Sequence, residues 1–202
     1  MTAATSGQDN ERIWIEQASQ GNQEAFAHIV RAYQKPVYNL CFRMLGNQVE
    51  AEDAAQETFL RAYNNLHRYD PNRRFLNWIL SIASNYSIDR LRRRRNIHVS
   101  LEDAPYAEQL QSKAETPYER AERKEDAETI QHWIDQLSPN YRTPLVLLYW
   151  YSYSYEEIAE TLNLSVPAVK SRLHRARKQV AELMLAEKAT RPPSQMSTTP
   201  SI

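Results

Sequence analysis

Residues 154–180 read SYEEIAETLNLSVPAVKSRLHRARKQV and contain two helical patterns separated by a turn. Ser154 is followed three residues later by Glu157, a capping box that predicts where the first helix begins. Asn163 tolerates the left-handed backbone that a tight turn needs. Ser165 then caps a second helix, whose first turn accommodates Pro167 because that position needs no N–H. The stretch therefore predicts two short helices at an angle.

The second helix has an apolar side and a cationic side. Its apolar residues recur at spacings of three and four, which predicts a buried face. They are Val169, Leu173, Ala176 and Val180. Between Pro167 and Lys178 there are five Lys or Arg and no acid. An ordinary amphipathic helix with a solvated basic face would share this pattern, but capping, turn and charge together favour a helix-turn-helix that binds DNA.

The amino-acid composition indicates the fold class of the protein and the cellular compartment in which we expect it. Only three of the 202 residues are Gly, and Leu, Ala, Glu, Arg and Gln are frequent, which predicts an all-α protein. The single Cys41 excludes an internal disulfide and any Cys-based zinc site, and it suits a reducing cytoplasm. With neither a signal segment nor an apolar run of membrane-spanning length, we expect a soluble cytoplasmic protein without membrane insertion.

Charge is unevenly distributed along a chain whose formal total is zero. Residues 12–95 carry 13 basic and 8 acidic groups, whereas residues 96–128 carry 4 basic and 9 acidic groups. The remaining bases concentrate in the second helix of the helix-turn-helix. The pattern predicts two small helical domains joined by a flexible acidic linker.

Periodicity and turn signals predict the order of the elements. We expect helices over 9–19, 22–45 with an interruption at Pro36, 48–66, 75–95, 116–137 and 140–150. Residues 1–8 and 190–202 are predicted to be disordered. The alternating segment 149–155 could pass for a strand, but its helical neighbours favour a loop.

The predicted helix 48–66 has an acidic outer face. Val49, Ala55, Phe59, Ala62 and Leu66 are its expected buried residues, and the outer face is formed by Glu50, Glu52, Asp53, Gln56 and Glu57. This face is either solvated or a docking site for a basic partner, and spacing alone favours solvation. Asp53 and Glu57 lie one turn apart, but no His motif accompanies them, so we predict no metal site. No nucleotide loop or nucleophile motif is present, and we predict neither a cofactor nor enzymatic activity.

Aromatic and cationic residues are concentrated between residues 67 and 95. The four arginines 92–95 either form a solvated helix end or contact phosphate, and their density favours phosphate. Four aromatic residues lie nearby: Tyr69, Phe75, Trp78 and Tyr86. They could pack in a core or stack on unpaired bases, and spacing cannot decide between these.

Two blocks of sequence resemble one protein family. Residues 52–59, EDAAQETF, and the later pattern Phe75-x-x-Trp78-Ile79 through Leu91-Arg92-Arg93 are similar to the core domain of extracytoplasmic-function (ECF) RNA polymerase sigma factors, group 4 of the sigma-70 family. Residues 137–142, LSPNYR, together with Val169 to Arg177, are similar to the second domain of the same family. The two blocks occur in the family's order and span roughly residues 20–185.

The resemblance implies a bacterial transcription initiation factor that binds core RNA polymerase and recognises promoters. It implies five parts: 1–21 an N-terminal extension with the first helix, 22–95 sigma region 2, 96–116 the linker, 117–189 sigma region 4, and 190–202 a disordered tail. The implied partners are the β′ clamp helices and β flap of polymerase, promoter DNA and an anti-sigma factor.

The resemblance also implies three groups of contact residues. Asp53, Gln56, Glu57 and Phe59 would bind polymerase. Arg73, Arg74, Phe75, Trp78, Asn85, Arg92 and Arg93 would bind the unpaired −10 element. Lys170, Ser171, Arg172, His174, Arg175 and Lys178 would read the −35 element as duplex. The alternative is a stand-alone helix-turn-helix regulator, which would bind its operator without polymerase.

Overall fold

The computed structural model describes residues 3–98 and 128–190, and every regular element within these ranges is helical. The elements are α1 (Ala3–Ser19), α2 (Gln23–Leu45), α3 (Gln48–Asn65), a 3₁₀ turn (Leu66–Arg68), α4 (Phe75–His98), α5 (helical from 128 to 135), α6 (Pro139–Tyr151), α7 (Tyr155–Leu162) and α8 (Val166–Thr190). We call residues 3–98 the N-terminal module and residues 128–190 the C-terminal module. The all-α prediction is confirmed.

Polar caps and a glycine set the bounds of α2. The side chain of Asn22 accepts a hydrogen bond from the N–H of Ala25 at 3.0 Å. Gly46 ends the helix with φ at +70°, and a Cβ there would lie 2.7 Å from Oδ2 of Asp135 in the C-terminal module. The left-handed backbone therefore favours glycine, and a Cβ at this position would also require the side chain of Asp135 to move.

The predicted interruption at Pro36 is wrong, because α2 runs through that residue. A proline removes one backbone hydrogen bond, but Val37 and Leu40 immediately after it are fully buried. Packing on this face holds both halves in one helix. The prediction of disorder over residues 1–8 is also wrong for residues 3–8, which lie within α1.

Helices α2, α3 and α4 enclose the core of the N-terminal module. Ile29, Met44, Ile79 and Leu80 are fully buried there. On α3 the buried positions are mostly small, Ala51, Ala54, Thr58 and Ala62, which allows close approach of the neighbouring helices. The prediction that Val49 is buried is wrong, since 57% of it is exposed.

The C-terminal module is built on α6 and on the predicted helix-turn-helix. Helix α6 extends through Tyr151, and Ser152 then takes a left-handed conformation with φ at 53°. The expected loop 149–155 is therefore confined to residues 152–154. Helix α4 continues to His98, three residues past its predicted end. The remainder of the predicted linker, the first part of the helix predicted from 116, and residues 191–202 of the predicted tail lie outside the described residues.

The two modules share one continuous core, and Arg142 lies at their contact. Its guanidinium donates to the main-chain carbonyls of Met44 in α2 and Asp135 in α5, and it lies 3.1 Å from Oδ1 of Asp135. The residue is only 4% exposed. Nearby, the hydroxyl of Tyr151 donates to the carbonyl of Pro36 at 2.5 Å. Because the end of α2 is thus fixed against α6, the C-terminal module has a defined position over the N-terminal one.

Candidate nucleic-acid interface

Helices α7 and α8 form the predicted helix-turn-helix. Ser154 and Glu157 exchange both hydrogen bonds of the capping box: the side chain of Ser154 accepts from the N–H of Glu157 at 3.1 Å, and Oε2 of Glu157 accepts from the N–H of Ser154 at 2.9 Å. Asn163 is left-handed with φ at 51°. The N–H of Ala168 then donates to Oγ of Ser165 at the start of α8. The predicted capping and turn are confirmed.

Helix α8 has the predicted buried back. Val169, Leu173 and Ala176 are fully buried, so the opposite side projects away from the module. We call that side the α8 front, which comprises Lys170, Ser171, Arg172, His174, Arg175 and Lys178. All but Arg172, which is half-buried, are exposed. Within the described ranges, neither Lys170 nor His174 takes part in a side-chain hydrogen bond or an ion pair.

Aromatic side chains on the C-terminal module orient two of the arginines of α8. Nη1 of Arg175 donates to the hydroxyl of Tyr141 at 3.2 Å. Nε of Arg177 donates to the hydroxyl of Tyr149 at the same distance. These bonds raise the pKa of both guanidiniums above the usual value. Lys178 lies 3.8 Å from Glu182 one turn further along.

A second cationic and aromatic surface surrounds the start of α4. We call it the loop surface, and it comprises residues 69–74, Trp78 and the exposed face of α4. Tyr69, Phe75 and Trp78 form a cluster with ring centroids 5.2 to 5.4 Å apart. Phe75 is 1% exposed and lies in the core, whereas Tyr69 and Trp78 are half-buried. The ring of Phe75 therefore supports the other two and presents no face of its own to a ligand.

An open cavity of about 820 Å³ separates α1 from this loop. Its walls carry Glu11 and Arg12 from α1 and Tyr69, Arg73 and Arg74 from the loop. The hydroxyl of Tyr33 donates to Oε2 of Glu11 at 2.5 Å, and burial together with this carboxylate raises the pKa of Tyr33. The cavity thus combines aromatic walls with both donors and acceptors.

The arginines of the loop surface differ in their surroundings. Arg73 and Arg74 are exposed, but each lies close to a carboxylate of α7. Arg92 contacts Asp89 and Asn140, and Arg94 contacts Glu50. Arg93 and Asn85 are exposed on α4. Of the contacts that arginines 92–95 make with described residues, only the 3.4 Å hydrogen bond between Arg92 and Asn140 joins the two modules.

The acidic face of α3 is present as predicted. Asp53 and Gln56 are exposed, and Glu57 is half-buried and paired with Arg61 at 2.7 Å. Phe59 is 9% exposed and faces the core, so it supports this face from behind. Arg90 of α4 lies 3.5 Å from Glu50 and 3.8 Å from Asp53, which orients the acids near the start of α3.

Sequence reasoning missed residues on two of these surfaces. Leu60 is 60% exposed and continues the stripe of Asp53, Gln56 and Glu57 at helical spacing. The helical spacing is a signal for Leu60, but a face defined by its polar and charged residues does not include an apolar one. The wall that α1 contributes to the cavity was also missed, because no local pattern places α1 beside a loop some 60 residues later.

Among the described residues, no group of three or more His, Cys, Asp or Glu side chains could hold a metal ion. In those same ranges no helix is long and apolar enough to cross a membrane.

Two family models match the chain. Sigma-70 region 2 matches residues 29–97, and sigma-70 region 4 matches residues 127–180. The ECF RNA polymerase sigma factor SigW of Bacillus subtilis is 41% identical over 169 residues, which cover 81% of this chain and 90% of the relative. The RNA polymerase sigma-H factor of Pseudomonas aeruginosa is 32% identical over 179 residues, covering 86% of this chain and 93% of the relative.

Solved structures share the fold. The structure of CnrH in complex with the cytosolic domain of CnrY has a TM-score of 0.62 and 26% identity, covering 88% of this chain and 99% of that one. The sigma factor RpoE from Bartonella quintana, in complex with the anti-sigma factor NepR, has a TM-score of 0.61 and 19% identity, covering 82% and 98% of the two chains.

Proposed function

The chain belongs to the ECF RNA polymerase sigma factors of the sigma-70 family, and from that premise we propose how its surfaces divide the work of initiation. The protein is a promoter-recognising transcription initiation factor and not a stand-alone regulator. We assign residues 22–95 to region 2 and residues 117–189 to region 4. It acts in the cytoplasm without catalysing a reaction itself, and its partners are core polymerase, promoter DNA and an anti-sigma factor.

The α8 front reads the −35 element in the major groove. The observation that carries this assignment is the buried back of α8 opposite a cationic front that extends away from the module. Arg175, which is oriented by its hydrogen bond to Tyr141, contacts the edge of a base. Lys178, which lies further along α8, contacts a phosphate. Lys170, Ser171, Arg172 and His174 complete the contact.

The loop surface holds the −10 element as a single strand. Tyr69 and Trp78 offer aromatic faces on which unpaired bases stack, and Arg73 and Arg74 at the rim suit phosphate. The cavity beside α1 has room for an unpaired base, with acceptors from Glu11 and donors from the arginines. Phe75 supports these rings, while Asn85, Arg92 and Arg93 extend the contact along α4.

The outer face of α3 docks on the β′ clamp helices of polymerase. Asp53, Gln56 and Glu57 supply polar and charged contacts, and Leu60 adds an exposed apolar anchor within the same stripe. Phe59 fixes this helix against the core. Region 4 would meet the β flap.

Run-off transcription with purified core polymerase tests the function. We expect specific transcripts only when core enzyme and this chain are both present. Two results would contradict the assignment. One is transcription from the same promoters by core enzyme without this chain. The other is that the chain alone binds the promoter DNA as tightly as it does together with core enzyme.

A further inference from the structure

Arg177 lies at the edge of the α8 front and is held by two tyrosines. Its Nε donates to the hydroxyl of Tyr149 at 3.2 Å, and its guanidinium carbon lies 5.9 Å from the centre of that ring. The hydroxyl of Tyr155 also forms a hydrogen bond with Arg177. Helices α6, α7 and α8 thus supply one side chain each to the same point on the surface. We call these three residues the flank site.

The flank site has donors but no carboxylate. Among the described residues Arg177 takes part in no ion pair, and its electrostatic partners are the two tyrosines. A tyrosine hydroxyl that accepts a hydrogen bond from a guanidinium keeps its own hydrogen to donate. That hydrogen of Tyr149 has no acceptor within the described ranges. A cation beside hydroxyl donors, without an acceptor, suits an anionic oxygen such as that of a phosphate.

Packing of the core does not account for the position of Tyr149. The residue is 58% exposed, whereas Val146 and Leu147 of the same helix are fully buried and fill the core of the C-terminal module. The ring of Tyr149 lies instead against the guanidinium of Arg177. An arginine supported by a ring and a hydroxyl loses less conformational entropy when it binds a ligand.

The flank site lies where a DNA backbone would pass. Ser171 and Lys178 point directly away from the buried back of α8, and Arg177 lies to one side of them, beside Tyr155, the first residue of α7. When the second helix of a helix-turn-helix enters the major groove, the first helix crosses the backbone. Phosphates border the groove on both sides, so a side chain at the flank of α8 next to α7 is close to one of them.

We propose that the flank site binds one backbone phosphate of the upstream duplex. Arg177 contacts the phosphate, and Tyr149 is a positioning residue that holds the guanidinium and adds a hydroxyl donor. The inference rests on the proposed −35 role of the α8 front. Its ligand is a phosphodiester and not a base, so this contact adds affinity at every promoter and no preference among sequences.

Anisotropy of labelled promoter duplexes tests the proposal with holoenzyme assembled from core polymerase and the full chain, at a series of salt concentrations. Arg177→Gln should weaken binding roughly three- to tenfold at every promoter, and the slope of log K against log salt should become less steep by about 0.9. Tyr149→Phe should cause a smaller loss, and little further loss in the Arg177→Gln background, because the two residues act together. A wild-type salt slope in Arg177→Gln would overturn the proposal.

Arg177→Lys keeps the charge but not the fork of donors that the tyrosines orient. It should bind more weakly than the wild type while retaining the wild-type salt slope, and urea denaturation shows whether each variant is folded. An arginine that only joined α6 to α8 would alter the free energy of unfolding and leave the slope unchanged. That result in both Arg177 variants would overturn the proposal.

Arg31→Gln is the matched control, because Arg31 is an exposed arginine on α2 whose side chain contacts His28, away from the α8 front. An equal change of slope in this variant would mean that net charge is responsible and would overturn the proposal. Arg175→Ala separates the two ideas. If it relaxes the base preference while Arg177→Gln matches the wild type, the −35 assignment stands and the flank site fails. If neither variant alters binding to promoters that carry a −35 element, the −35 role of α8 fails as well.

Discussion

The α8 front and the loop surface both carry arginines proposed to contact DNA, but their protein environments differ. The α8 front projects from the module, and its tyrosine partner Tyr141 orients Arg175 without neutralising it. On the loop surface, Arg73 and Arg74 face the carboxylates of Glu160 and Glu157. The surface proposed to read duplex DNA is thus exposed, whereas two arginines of the surface proposed to bind the single strand are paired with carboxylates of the other module.

The largest effect is expected from the residue that fixes the two modules together. Arg142→Met should lower the free energy of unfolding by about 2–4 kcal/mol, because the carbonyls of Met44, Asp135 and Leu137 lose a buried donor. Urea denaturation followed by circular dichroism measures this. Arg92→Met is the control, because Arg92 is exposed and has weaker contacts. It should lower the free energy of unfolding by less than about 0.5 kcal/mol. Equal losses in the two variants would mean that the buried contact does not hold the modules.

Charge reversal on α3 should weaken polymerase binding without altering either of the surfaces proposed to bind DNA. Asp53→Lys with Glu57→Lys should weaken core-polymerase binding by about 2 kcal/mol, because like charges would then face a basic partner. Affinity can be measured by competition with the wild type, with helicity checked by circular dichroism. Glu52→Lys makes the same kind of change beside the stripe and should have a smaller effect. An unaltered affinity in the double variant would rule out this face.

Two substitutions on α8 should distinguish base reading from phosphate contact. Arg175→Ala should weaken the free energy of binding to the −35 element by about 1–3 kcal/mol, and it should relax the preference for one base of that element. Lys178→Ala should weaken all promoters about equally and reduce the salt dependence. Transcription from a promoter library measures both. If Arg175→Ala lowered every promoter by one factor, Arg175 would be a phosphate contact and the helix would be rotated in the groove.

The smallest effect concerns the acid of the capping box. The hydrogen bond from the N–H of Ser154 lowers the pKa of Glu157 below its usual 4.5. Burial acts in the opposite direction, and Arg74 lowers the pKa further. A carboxylate with a lowered folded-state pKa stabilises the protein above the unfolded-state value, and this stabilisation is lost as pH falls through the folded-state value. Glu157→Gln should therefore destabilise the chain by about 0.5 kcal/mol at neutral pH. The difference should disappear below pH 4.5 in paired urea titrations, and a pH-independent difference would contradict this cause.

The contrast between the two surfaces also explains which features the sequence predicts. The capping box, the Asn163 turn and the buried back of α8 depend on residues within a few positions of one another, so local patterns were sufficient. The ion pair of Arg74 with Glu157 joins residues 83 positions apart, and no local period encodes it. Local patterns fail at two further residues for the same reason. The helix continues through Pro36 because tertiary packing holds it. The helical period predicts that Val49 is buried, but it is exposed.

Site-specific photocross-linking compares the two surfaces most directly. A photoreactive residue at Ser171 reports on the α8 front, and one at Asn72 reports on the loop surface; both positions are exposed. With core polymerase and promoter DNA, we expect Ser171 to cross-link to duplex upstream DNA and Asn72 to the unpaired −10 strand, the latter only after promoter melting. Cross-linking of Asn72 to intact duplex without polymerase, or of Ser171 to the melted strand, would contradict the division of labour between the two modules.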